Sequence, residues 1–204
     1  MPRKIALLLV VTAIAGAACH RETKKATVTT TTMSSAHGMA TNTAPQASPG
    51  IPPQPAGGIN VGDAMPAFEA PLLDGAKFDV ANEKGNVVLL NLWATWCGPC
   101  RHEIPELEQM HLQHSGDGFK VVGVSLDEGG VEPVKEFVTQ HSMSYPIALD
   151  PEGKLAGIFQ TNVIPTTVLI DRNGTIVWKK YGMIEANDAS LQDELKKALA
   201  AKRS

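Results

Sequence analysis

Trp93-Ala94-Thr95-Trp96-Cys97-Gly98-Pro99-Cys100 stands between two segments of different periodicity, and the fold class follows from how it joins them. Upstream, Val87-Val88-Leu89-Leu90-Asn91-Leu92-Trp93 is an almost unbroken run of apolar and β-forming residues, the pattern of a strand covered on both faces. Downstream, residues 101–114 place Ile104, Leu107, Met110 and then His111 or Leu112 at helical spacing. The two cysteines therefore lie at a strand-to-helix turn. Cys97 falls at or beside the N-cap, and Pro99 in the first turn, where its missing N–H is not needed.

That placement has a chemical consequence. Unsatisfied N–H groups at a helix start favour the thiolate of Cys97 over its thiol. Cys100, one turn on, points inward beneath it. A nucleophile and a resolving thiol at this spacing can open a disulfide in another molecule and then release it by closing their own. The alternatives are a structural disulfide or half of a zinc site. Zinc needs further cysteine or well-spaced histidine ligands, and the remaining cysteine, Cys19, lies far upstream.

With 204 residues, 43% hydrophobic and 19% charged, the chain holds one core plus additional segments. A net charge of −3 gives no electrostatic footprint for nucleic acid. Met1-Pro2-Arg3-Lys4, an apolar run over 5–14 and the small residues Ala15-Gly16-Ala17-Ala18 before Cys19 read as an export signal over 1–19. Residues 20–58 are rich in Thr, Ala, Pro, Ser and Gly and read as a disordered tether. Met33, His37 and Met39 in it have no spacing that specifies a copper site. Each reading of the leader puts the domain outside the cytoplasmic membrane, where disulfides persist.

The folded part is expected over 59–204. Residues 61–68 and 77–80, separated by Asp74-Gly75, read as two short strands around a turn. After the strand and helix already described come a strand at 119–126, a helix at 131–141, a strand at 145–149 and a short helix at 153–159. Strands at 166–170 and 175–181 are joined by Asp171-Arg172-Asn173-Gly174, and an amphipathic helix over 189–202 closes the chain. Alternating strands and helices followed by a hairpin predict an α/β fold, a mixed sheet flanked by helices on both faces.

Two separated motifs, Trp93-x-x-Trp96-Cys97-Gly98-Pro99-Cys100 and Ile164-Pro165-Thr166-Thr167, resemble the thioredoxin superfamily. Within it the chain is similar to the exported, membrane-tethered TlpA/ResA-like thiol-disulfide oxidoreductases. Asn91 replaces the buried Asp of thioredoxin, Glu103-Ile104-Pro105 matches the family's Glu-x-Pro, and the block from about 121 to 149 corresponds to its central strand-helix insertion. The resemblance implies a thioredoxin-like sheet with an N-terminal β-hairpin, a Cys97–Cys100 redox disulfide, no cofactor and no metal. It implies a general-base role for Glu103, against a plain helix-surface glutamate, and a cis Pro165 facing the disulfide, against a proline that merely opens a strand. Ile164 would pair with an extended substrate chain. Trp96 would cover one side of the site, Trp93 would pack in the core, and His102 would be an exposed helix residue.

Small residues ending at Cys19 are similar to a bacterial lipobox, although Gly16 departs from it. Cys19 is thus a candidate lipid anchor, against ordinary cleavage near Ala17 or Ala18 or an uncleaved leader. The implied function is reduction of disulfides in exported proteins, with apocytochrome c among the candidate substrates, a membrane electron donor, a periplasmic or other extracytoplasmic location and a monomeric state. The Gly-Pro dipeptide favours reduction, since thioredoxin lies near roughly −270 mV and oxidising relatives near roughly −120 mV. Two other classes compete. A thiol peroxidase would have Pro and Thr where this chain has Leu90 and Ala94, and a copper-delivery protein would have three residues between its cysteines rather than two.

Overall fold

Seven consecutive buried residues make Val87–Trp93 (β3) the centre of the sheet, because a strand apolar on both faces is stable only when covered twice. A computed structural model describes residues 58–202. The predicted leader, the tether up to residue 57 and Cys19 lie outside the described residues. Beside β3 runs Phe119–Ser125 (β4), parallel to it, with Leu89 opposite Val121 and Trp93 opposite Ser125. Thr166–Ile170 (β6) is antiparallel on the other side, with Asn91 opposite Thr167 and Leu92 opposite Thr166. Ile147–Leu149 (β5) and Ile176–Tyr181 (β7) complete the order β5-β4-β3-β6-β7.

The alternation of side chains along β3 divides the core. Leu89 and Trp93 face Gly98–His114 (α1), Val131–Gln140 (α2) and Ala189–Ala200 (α4) through Ile104, Leu107, Phe137, Leu191 and Leu195. Val88, Leu90 and Leu92 face Lys154–Phe159 (α3) and the N-terminal strand pair through Leu155, Phe159, Phe68 and Phe78. The sheet is therefore mixed and covered on both sides, with β4, α2 and β5 as the expected central insertion.

The first predicted strand is misplaced. The N-terminal pair is Glu69–Pro71 (β1) with Lys77–Asp79 (β2), not 61–68 with 77–80. Residues 62–65 instead bond the start of β7: Gly62 N–H donates to Ile176 O, Ile176 N–H to Asp63 O and Met65 N–H to Gly174 O. Pro66, with no N–H, ends that pairing and frees the chain to turn toward β2. Leu73 N–H then donates to Ile147 O, covering the open edge of β5.

The turn between β6 and β7 holds a further departure. Arg172, read as a turn residue, is 5% exposed and donates to the carbonyls of Gly85, Asp117, Leu199 and Ala201. One guanidinium thus ties together the entries to β3 and β4 and the C-terminal end of α4.

Candidate active site

Both motifs meet at one end of the sheet because of the β3/β6 register. With Leu92 opposite Thr166, Pro165 lies level with the end of β3, where the chain turns into the cysteine loop. Cys97 caps α1: its Sγ accepts the Cys100 N–H at 3.2 Å, and Cys97 N–H donates to Ala94 O at 3.1 Å. The first turn of the helix therefore directs the Cys100 N–H and the positive end of the helix dipole at this sulfur, the arrangement that stabilises a thiolate once the pair is reduced. Cys97 and Cys100 are joined by a disulfide with an S–S distance of 2.02 Å and Cα atoms 5.3 Å apart. Both cysteines are buried, Cys97 at 4% exposure, whereas Trp96 beside them is 68% exposed.

Asp127 holds the loop that precedes the disulfide. Its carboxylate accepts the Thr95 N–H at 3.0 Å, the Thr95 hydroxyl at 2.6 Å and the Ser125 hydroxyl at 2.8 Å. From the other side Arg101 Nη2 donates to Thr95 O at 2.9 Å, with its guanidinium carbon 5.7 Å from the Phe137 ring centroid. Nothing in the sequence singles out this clamp, since Asp127 reads as the first residue of an acidic turn.

Glu103, one turn beyond Cys100, is 1% exposed, so it is not a helix-surface residue. Its Oε1 accepts the Asn91 side-chain amide at 2.7 Å and its Oε2 the Ile184 N–H at 2.8 Å. The same Asn91 amide donates to Thr167 Oγ1 at 2.9 Å. Burial pushes the carboxyl up to about 7, opposed by the Ile184 N–H, the Asn91 amide and the charge of Lys180. A carboxyl that titrates near neutrality one turn from a buried thiol can take or give the proton that thiol exchanges.

The Ile164–Pro165 peptide is cis. Pro165 is buried and Ile164 half-buried, and Pro165 O accepts the Gly182 N–H at 2.8 Å. Val163, just before them, is 43% exposed, so this loop and Trp96 both present apolar surface to solvent. His102 is exposed and Trp93 lies in the core. Among the described residues no group of three or more His, Cys, Asp or Glu side chains is placed to hold a metal ion, and no helix is long and apolar enough to cross a membrane.

Comparison with known proteins bears on what this arrangement does. Residues 61–179 match the model of the AhpC/TSA family. The thiol-disulfide oxidoreductase ResA of Bacillus thuringiensis is 32% identical over 139 residues, which cover 68% of this chain and 79% of that protein. The thioredoxin-like protein YneN of Bacillus subtilis is 36% identical over 121 residues, covering 58% of this chain and 70% of the relative. A crystal structure of a putative thiol:disulfide interchange protein DsbE from Chlorobium tepidum superposes with a TM-score of 0.65 at 33% identity, over 70% of this chain and 99% of that one. A redox pair capping a helix, a fold shared with a disulfide interchange protein and a family match over more than half the length converge: the chain belongs to the AhpC/TSA family, as a TlpA/ResA-like thiol-disulfide oxidoreductase of the thioredoxin superfamily.

Proposed function

We propose that this oxidoreductase works outside the cytoplasmic membrane as a reductant of disulfides in exported proteins, the haem-site cysteines of apocytochrome c among its candidate substrates. The observation that carries the reading is the buried Glu103 carboxyl one turn beyond Cys100 on the helix that Cys97 caps. The export-type leader supports the location, Cys19 is the proposed lipid anchor, and the Gly98-Pro99 dipeptide supports the direction.

In the reduced enzyme the Cys97 thiolate attacks a substrate sulfur, forming a mixed disulfide and releasing the other substrate sulfur as a thiolate. Glu103 accepts the proton of Cys100. The Cys100 thiolate then attacks Cys97 Sγ, and the substrate leaves fully reduced. Two electrons have passed to the substrate, and the enzyme is left with the Cys97–Cys100 disulfide. A membrane dithiol donor restores both thiols. An extended substrate segment lies along Ile164 as an added strand, with Trp96 and Pro165 as its apolar contacts.

The test is trapping. With Cys100→Ser, exported proteins joined covalently to Cys97 should accumulate, and a redox titration of the wild-type pair should lie near that of thioredoxin, roughly −270 mV. A potential above about −150 mV would reverse the proposed direction.

A further inference from the structure

Lys180 and Asp188 lie at the two ends of the connection from β7 to α4, and their ion pair, 2.6 Å long, closes it. Between them the loop makes three contacts with the active-site region. Gly182 N–H donates to Pro165 O, Ile184 N–H to Glu103 Oε2 and Asn187 N–H to Glu106 Oε1. Lys180 is also the last member of a row that crosses three strands. Asn91 is opposite Thr167 and Thr167 opposite Lys180, so all three side chains project from the same face of the sheet, and the first two are hydrogen-bonded. Asp188 in turn caps α4 by accepting from the Ser190 and Leu191 N–H groups.

We propose that the Lys180–Asp188 pair positions the Glu103 carboxyl: it fastens the loop that delivers the Ile184 N–H, and it sets a cation at the end of the Asn91–Thr167 row. Lys180 is a positioning residue that acts through Ile184 and through space. The inference rests on the proton-acceptor reading of Glu103 for its importance to turnover, but not for its physical content. The charged and titratable groups around Glu103 are few. Lys180 comes from β7, with Asp188 behind it on α4, the Tyr145 phenol comes from the segment before β5, and Cys100 and Glu106 share α1. In the disulfide form Cys100 does not titrate, and Tyr145 is pushed far above neutrality by burial, so neither exchanges a proton with Glu103 near pH 7.

The experiment follows the Glu103 side-chain carboxyl by 13C NMR from pH 5 to 9 in the oxidised full chain, with amide exchange of Ile184 measured alongside. Lys180→Met should raise the midpoint by about half a unit, roughly a threefold loss of ionised carboxylate at fixed pH, whereas Lys180→Arg keeps it. Asp188→Asn retains a capping side chain but not the ion pair, so Ile184 exchange should accelerate at least tenfold in it as in Lys180→Met. An unmoved midpoint in Lys180→Met, or wild-type Ile184 protection in Asp188→Asn, overturns the proposal. Glu103→Gln separates the two readings. If it leaves the kinetics of thiol–disulfide exchange unchanged while Lys180→Met still moves the carboxyl midpoint, the proton-acceptor role fails and the positioning role stands.

Discussion

The Asn91 side-chain amide donates to Glu103 Oε1 at 2.7 Å, which fastens the only carboxyl buried beside the disulfide, among the described residues, to the middle strand of the sheet. Asn91 carries no titratable proton, so this pair has one ionisation and it belongs to Glu103. Burial raises that ionisation from an ordinary value of 4.5 to about 7 against the opposing pull of the Asn91 amide, and there small changes of pH change its charge.

The first consequence is kinetic. Below pH 7 Glu103 is protonated and cannot take the Cys100 proton, so release of the mixed disulfide should speed up as pH rises through about 7. Glu103→Gln should remove this inflection and slow the release step about a hundredfold at pH 8. Stopped-flow measurement of the resolving step checks it; an inflection that survives the substitution excludes Glu103 as the acceptor.

The same carboxyl shapes stability in the opposite direction to most acids. Its folded-state value lies above the unfolded one, so the native state holds a proton that the unfolded chain has lost between pH 4.5 and about 7. Its stabilising contribution is complete below 4.5 and falls as pH rises through that window, by about 1.4 kcal/mol per unit and roughly 3 kcal/mol in all. Urea denaturation of the oxidised protein at pH 5, 6, 7 and 8 should show this decline, and Glu103→Gln should flatten it. Asp188, held down to about 2 by Lys180, gives a contribution that is constant above its ordinary value of 3.8 and is lost only as pH falls toward 2, so it does not mask the effect.

Asp127 accepts three hydrogen bonds that fix Thr95 and Ser125 just ahead of the disulfide. Asp127→Ala should destabilise the fold by about 2 kcal/mol, since it leaves the half-buried Thr95 N–H and hydroxyl without their acceptor. It should also lower kcat/KM about tenfold, because a loosened loop no longer presents Cys97 in one geometry. Denaturation and steady-state reduction assays read the two effects, and wild-type values in both would show the clamp to be inert.

The helix cap at Cys97, the double-faced strand and the order of elements were legible because each depends on residues close in sequence. Capping, periodicity and turn chemistry are local, and they placed β3, α1 and the hairpin of β6 and β7 within a residue or two. The strand expected at 61–68 failed because alternation alone does not say which partner a segment pairs with, and its partner lay more than a hundred residues away at Ile176. Glu103 is marked by the resemblance of Glu103-Ile104-Pro105 to the family's Glu-x-Pro, but the two donors that hold it, Asn91 and the Ile184 N–H, come from 12 residues before it and 81 after it. Asp127, Lys180 and Arg172 look like solvated charges until the register is known. The polar part of the site is therefore a product of tertiary pairing, whereas its cysteines are a product of local pattern.

Arg172 gives that contrast a quantitative test away from the chemistry. Its guanidinium is buried with no carboxylate partner among the described residues and holds four carbonyls from three parts of the chain, two of them at the C-terminal end of α4, where a positive charge is favoured by the helix dipole. Arg172→Met keeps the aliphatic volume but leaves those carbonyls without the donor, at a cost of about 3 kcal/mol. Arg172→Lys supplies one ammonium that cannot span all four acceptors and should lie between the two. For a domain of this size the methionine variant should melt about 10 °C lower. Cys97 reactivity per folded molecule should stay unchanged, because Arg172 follows the far end of β6 from Pro165. A melting temperature within about 2 °C of wild type would mean that water replaces the guanidinium at little cost, and that the packing of Leu191 and Leu195 and the ion pair at its N-terminus hold the C-terminal helix to the sheet without it.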